Sequence, residues 1–183
     1  MNDQTITKKD FFEIEEIIGY AFQDKTLLKR CFTLSSASDV NNERLEFLGD
    51  ALLEAYVSGA LYRYSNFDEG TMTKLRQNVV SDDNLRQAVE GMGLEKYLVY
   101  TGKRENLGRK PIASLFEALT AGIYLDGGMQ AAGQFIAAKL LARHKGVCGK
   151  SVQEMTEVNH KGVLQEYLQG RGFPRAEYAV TGR

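Results

Sequence analysis

The sequence predicts an all-α domain, and two observations carry that prediction. Apolar residues recur with a helical period along most of the chain, and only two of its 183 residues are prolines. At 43% hydrophobic residues there is enough apolar side chain for a full core, and the length allows one domain and part of a second. The expected division is a helical domain over residues 1–146, a linker over 147–158, and a final segment over 159–183 too short to close a core of its own.

The elements follow in order. Phe11, Ile14, Ile17 and Ile18 form the stripe of a first helix from Lys8 to Ile18, ended by Gly19. Asp24 is placed to cap a second helix running through Leu27, Leu28 and Phe32. A long helix containing NNERLEFLGDALLEA comes next, with Leu45, Leu48, Ala51, Leu52 and Tyr56 expected on its core side. Asp68-Glu69-Gly70 reads as a turn, Thr71 or Thr73 as the cap of the following helix, and Ser81 as the cap of the one after. The polar loop GKRENLGRK leads to Pro111, which suits a first helical turn. From Pro111 to Tyr124 the pattern is apolar nearly all round, so that helix is expected to be buried. Gly127 and Gly128 close it, and a last helix is expected from Met129 to Leu141.

Two places break local rules. Glu43, Glu46, Asp50 and Glu54 share one stripe of the long helix, so Asp50 has a like charge four residues away on both sides. Each such pair costs roughly 0.2–0.5 kcal/mol. Gly49 sits in the same helix, where glycine costs about 1 kcal/mol relative to alanine. Such a concentration of violations marks either a functional site or a solvated acidic face crossed closely by another helix. The second place is Glu117, a lone acid in an otherwise apolar helix, which needs an ion-pair partner or a metal.

Read as a string, ERLEFLGDALL resembles the signature of the ribonuclease III family of double-stranded-RNA endonucleases. The resemblance continues through IGYAF near the N-terminus and through the EG-x-M-T-x-x-R pattern at Glu69–Arg76. In the tail, NHKGVLQEYLQGRGFPRAEYAV is similar to the start of a double-stranded-RNA-binding domain, an incomplete α/β fragment. Thr33-Leu34-Ser35-Ser36 falls where the family commonly has Thr-His-x-Ser, so Leu34 replaces a frequent histidine.

The resemblance implies a site that holds Mg²⁺, with Mn²⁺ as a possible substitute. Its ligands would be Glu46, Asp50 and Glu117, with Asp50 and Glu117 central to catalysis. Glu43, Lys74 and Arg76 would lie on the RNA side, and Phe47 would meet the same residue of a second copy in a homodimer. Ser114 stands where the family has a fourth acid. A hydroxyl can ligate Mg²⁺ or orient a bound water, but it brings no charge. Asp126 lies roughly 13 Å along the axis from Glu117 and cannot replace it; Asp82 and Asp83 are the other acids that another helix could bring near.

The function implied is Mg²⁺-dependent cleavage of double-stranded RNA to 5′-phosphate and 3′-hydroxyl ends, as in rRNA and mRNA precursor processing. Two alternatives stay open: an RNA-binding protein of the same fold with catalysis weakened at Ser114, and an all-α nucleotide pyrophosphohydrolase, which also uses E-x-x-E and E-x-x-x-D patterns for Mg²⁺. Net charge is −1, which neither announces nor excludes a nucleic-acid partner, because a cluster of metal-binding acids dilutes a basic surface. No apolar run is long enough for a membrane span, MNDQTITKKDFF lacks the apolar centre of a signal peptide, and Cys31 and Cys148 have no metal-type spacing. Together these predict a cytoplasmic protein; His144 and His160 are expected at its surface.

Overall fold

The computed structural model of the chain describes residues 6–103 and 107–144, and within them it is built from helices. The expected linker and RNA-binding fragment, with Cys148 and His160, lie outside the described residues. Helix α1 spans Lys8–Ile18; Thr7 and Asp10 cap each other's backbone in a reciprocal box, and Gly19 ends the helix at φ 77°. Helix α2 spans Lys25–Cys31, with the Asp24 carboxylate accepting from the Thr26 and Leu27 amides at 2.8 and 3.2 Å. The remaining helices are α3 (Glu43–Tyr64), α4 (Glu69–Val79), α5 (Asp82–Met92) and α6 (Arg109–Lys139), with short 3₁₀ turns at Leu94–Tyr97 and Leu141–Arg143.

Helix α6 is the axis of the domain, and α3, α5 and α2 pack around it. Its first limb buries Ala113, Leu115, Phe116, Ala118, Leu119, Ala121 and Ile123, as an all-round apolar pattern requires. The expected pair of helices is one element with a single break. The first limb runs past Tyr124, and only Gly128 leaves helical geometry, at φ 79° and ψ 179°. That conformation suits glycine, so one residue turns the chain without a loop.

Expectations for α4 and α3 are also corrected. Asp68, not Thr71 or Thr73, caps α4: its carboxylate accepts from the Thr71 amide at 2.8 Å and hydroxyl at 3.0 Å. A carboxylate is the better N-cap, so the helix starts earlier and Glu69-Gly70 belong to it rather than to a turn. On α3, Ala51 is exposed and Leu52 only half-buried, while Leu45, Leu53, Val57, Ala60 and Leu61 are buried. The inward face is centred on Gly49 and Leu53, because the bare backbone at Gly49 is where α6 crosses.

A bridge between Thr33 and Val99 interrupts the helical pattern. The Leu34 amide donates to the Val99 carbonyl and the Val99 amide to that of Phe32, both at 2.9 Å; the Asn42 amide donates to the Thr33 carbonyl, also at 2.9 Å. These bonds fix the loop before α3. Cys31 is buried with its thiol 3.3 Å from the Ala118 carbonyl, and burial raises its pKa far above the ordinary range, so it is a packing residue. His144 is half-buried rather than at the surface; burial lowers its pKa and leaves Nε2 without a hydrogen-bond partner among the described residues.

Candidate active site

The crossing of α3 and α6 builds the site. A Cβ at position 49 would lie 1.9 Å from the Glu117 carbonyl oxygen, so the two backbones touch where glycine permits it. Glu46 and Asp50 flank Gly49 on α3, and the contact therefore brings both beside Glu117. The result is a cleft of about 720 Å³ lined by Glu43, Glu46 and Asp50 from α3, Asp82 from the start of α5, and Lys110, Ser114 and Glu117 from α6. Leu34, Ser35, Ser36 and Asn42 close one end, held there by the Thr33–Val99 bridge.

Electrostatically the cleft is dominated by acids, with Lys110 as the one cation among its lining residues. Glu117 is half-buried, and its pKa is pushed up to about 8. Burial is the largest cause, followed by the charges of Glu46, Asp50 and Asp82; Lys110 acts in the opposite direction. Among the described residues no arginine or lysine pairs with Glu117, so a structural ion pair does not explain it. A cation from solution would relieve the same repulsion.

Whether the residues fit such a cation depends on the ion. Among the described residues no three His, Cys, Asp or Glu side chains form a ready metal cage. Mg²⁺ keeps several of its waters and is commonly held by one or two carboxylates, so acids converging on an open cleft suit it where an all-protein cage would not. The donor set is entirely oxygen, as a hard cation requires.

Ser114 is 3% exposed and lines the cleft, and its hydroxyl has no hydrogen-bond partner among the described residues. Asn42, at the N-terminus of α3, is buried with its Nδ2 unpaired. Sequence reasoning missed both Asn42 and Lys110. The signal for Asn42 was its place immediately before the acidic stripe, and for Lys110 its place beside the proline that opens α6. Phe47 lines the cleft edge and is 82% exposed, so it is not a core residue.

Other expected site residues stand apart. Lys74 is exposed on α4 and does not line the cleft; Arg76 is half-buried with Nη1 donating to the Ser58 hydroxyl at 3.2 Å. Asp83 is taken up by Arg86 at 2.8 Å and Gln87 at 3.0 Å. Asp126 accepts from the Tyr20 hydroxyl at 2.7 Å and from the Gln23 and Asp24 amides at 2.8 and 3.0 Å, which fastens α6 to the entry of α2.

Residues 24–144 match the family model described as Ribonuclease-III-like, which covers more than half of the chain. The chain belongs to the ribonuclease III family. Curated members of this family of endoribonucleases match over nearly all of it. Ribonuclease 3 of Helicobacter pylori (strain Shi470) is 35% identical over 176 residues, covering 93% of this chain and 72% of the relative. Ribonuclease 3 of Bdellovibrio bacteriovorus is 36% identical over 179 residues, covering 91% and 75%. The crystal structure of the nuclease domain of ribonuclease III from Campylobacter jejuni superposes with a TM-score of 0.67 at 29% identity, over 74% of this chain and 96% of that one. A second structure of that domain, described for structural flexibility in a region involved in dimer formation, gives 0.66 at 29% identity, over 72% and 95%. The ribonuclease III match runs from the cap of α2 to the second 3₁₀ turn and so includes every residue lining the cleft.

Proposed function

We propose that this chain is a homodimeric endonuclease that hydrolyses double-stranded RNA with Mg²⁺, or Mn²⁺ in its place, leaving 5′-phosphate and 3′-hydroxyl ends. The observation that carries the reading is Glu117, held against Glu46 and Asp50 by the Gly49 crossing without an ion-pair partner among the described residues, its pKa raised despite the nearby charge of Lys110. Bound there, a divalent ion would polarise the phosphoryl oxygen, generate hydroxide and stabilise the leaving 3′ oxygen.

The chain's own residues divide the remaining work. Glu46, Asp50 and Glu117 hold the cation, and the Ser114 hydroxyl orients water beside it. Because Glu46 and Asp50 lie one helical turn apart on a rigid helix, their separation is fixed before any ligand arrives. Glu43, exposed at the cleft mouth, faces the RNA, and Lys74 with Arg76 on α4 meets its phosphates. Phe47, exposed at the cleft edge, packs against the second copy; the dimer-forming region described for the Campylobacter jejuni domain supports this reading. Residues 1–146 form the nuclease unit, 147–158 the linker, and 159–183 the start of an RNA-binding unit, in a protein of the cytoplasm.

The test is incubation of a long RNA duplex with the full chain across a Mg²⁺ and Mn²⁺ titration. Cleavage on both strands is expected. Retention of the duplex with no product would favour the binding-only reading, in which Ser114 weakens catalysis. Turnover of free nucleotides without affinity for duplex RNA would favour the pyrophosphohydrolase.

A further inference from the structure

The cleft has one acid that the family pattern does not supply. Asp82 opens α5, where Ser81 caps the helix by accepting from the Asn84 amide. Its neighbour Asp83 is held by Arg86 and Gln87, so the two adjacent acids have separate fates. Asp82 lines the cleft with Ser114 and Glu117, and among the described residues it has no hydrogen-bond or ion-pair partner. It is near enough that its charge acts on Glu117. An acid in the first helical turn is common, because it complements the helix dipole. That role alone does not account for an acid that lines the cleft where its charge acts on Glu117.

One further group indicates that the cleft receives a ligand. Ser114 is nine-tenths buried and lines the cleft with a hydroxyl that nothing among the described residues engages. A polar group enclosed in this way is rarely left unpaired unless something else pairs it.

We infer that Asp82 takes over the charge missing at Ser114: the Ser114 hydroxyl and the Asp82 carboxylate together hold the waters of a divalent cation bound in the cleft. The acid has in effect moved from α6 to α5. This rests on the proposed metal-dependent reading. Asp82 acts through water, as a positioning residue. Groups of this kind typically affect metal affinity by about 10–100-fold.

The experiment is a calorimetric titration of the full chain with Mn²⁺ alone, without RNA, so that the readout does not depend on activity. Asp82→Asn is expected to weaken Mn²⁺ binding about tenfold or more, and Asp82→Ser similarly. Glu54→Asn, an exposed acid on α3 outside the cleft, should change it less than twofold. Ser114→Asp should tighten binding, and in that background the effect of Asp82→Asn should shrink, since both positions then supply the same charge. Thermal melts in EDTA establish that each variant is folded. Two outcomes overturn the inference. If Asp82→Asn and Asp82→Ser bind Mn²⁺ as the parent does while Glu117→Gln loses it, the metal site stands and Asp82 is only a helix-terminal charge. If the parent chain neither binds Mn²⁺ nor cleaves duplex RNA, the metal-dependent reading itself fails and Asp82 falls with it.

Discussion

Replacing Gly49 with alanine tests the claim that one backbone contact assembles the site. The new Cβ would sit 1.9 Å from the Glu117 carbonyl oxygen, 2.4 Å from its carbon and 2.9 Å from its Cα. Ordinary contact begins at 3.4 Å, so α3 and α6 must part by about 1.5 Å at this point, the difference between the two distances. The obstacle is backbone in the middle of two long helices, so no side-chain rotation relieves it. Overpacking of this kind costs about 1–3 kcal/mol or more. Helix propensity returns about 1 kcal/mol. Gly59, on the same helix, has nothing within 4 Å of its own added Cβ and serves as the internal control. Gly59→Ala should stabilise by up to about 1 kcal/mol; the propensity gain is common to both, so the overpacking cost alone places the two variants roughly 1–3 kcal/mol apart. In thermal unfolding that gap corresponds to roughly 2–12 °C. Gly49→Ala should also weaken Mn²⁺ binding, because Glu117 moves away from Glu46 and Asp50. If Gly49→Ala were as stable as Gly59→Ala and bound Mn²⁺ normally, the crossing would not be what holds the acids together.

Glu117→Gln should stabilise the metal-free protein while removing its response to Mn²⁺ in the same melts. The folded-state pKa is raised from 4.5 to about 8, so the parent progressively loses stability as pH rises through that interval. The gain from glutamine should therefore be absent below the lower value and complete above the upper one. Water in the open cleft screens the charges, so we expect roughly 1–2 kcal/mol at full effect. Asp126→Asn should cost about 2 kcal/mol in urea denaturation, since a carboxylate accepting three hydrogen bonds becomes an amide with only one acceptor oxygen. Burial raises the Asp126 pKa, but those hydrogen bonds outweigh it and the net shift is downward. Its stabilisation is thus present above the ordinary 3.8 and lost as pH falls through the lower folded-state value, so the variant should show a flatter acid limb. Phe47→Ala should shift sedimentation toward monomer at micromolar concentration, weakening association by at least about tenfold if each ring buries some 1.5–3 kcal/mol of apolar surface; an unchanged dimer would remove Phe47 from the interface.

Much of the fold was legible because its boundaries are written in local chemistry. Asp24 and Ser81 cap their helices through bonds to the first-turn amides, and Gly19 ends α1 in the left-handed conformation that glycine favours. The acids of the site were legible for another reason. ERLEFLGD places Glu46 and Asp50 around Gly49, and the match to ribonuclease III supplies Glu117 as the partner helix's acid. The cap of α4 was misread because Asp68, Thr71 and Thr73 are all competent caps in one short stretch, and only the backbone path decides among them.

What the sequence did not show is mostly a consequence of α3 serving several surfaces at once. Leu45, Leu53, Val57 and Leu61 face the core, Glu46 and Asp50 face the cleft, and Phe47 and Tyr62 face outward. No single stripe describes such a helix, which is why Ala51 was expected inside and lies outside. For the same reason Glu54 cannot be told from Asp50 by periodicity: both belong to the acidic stripe, yet only Asp50 lines the cleft. The distinction comes from α6, which touches α3 at Gly49, one residue before Asp50 and five before Glu54. The close crossing at Gly49 is therefore also what sets the acids of α3 beside Glu117. Without the crossing the acids would be a solvated face; with it, α6 brings Glu117 to them, and their mutual repulsion gives a divalent cation something to relieve.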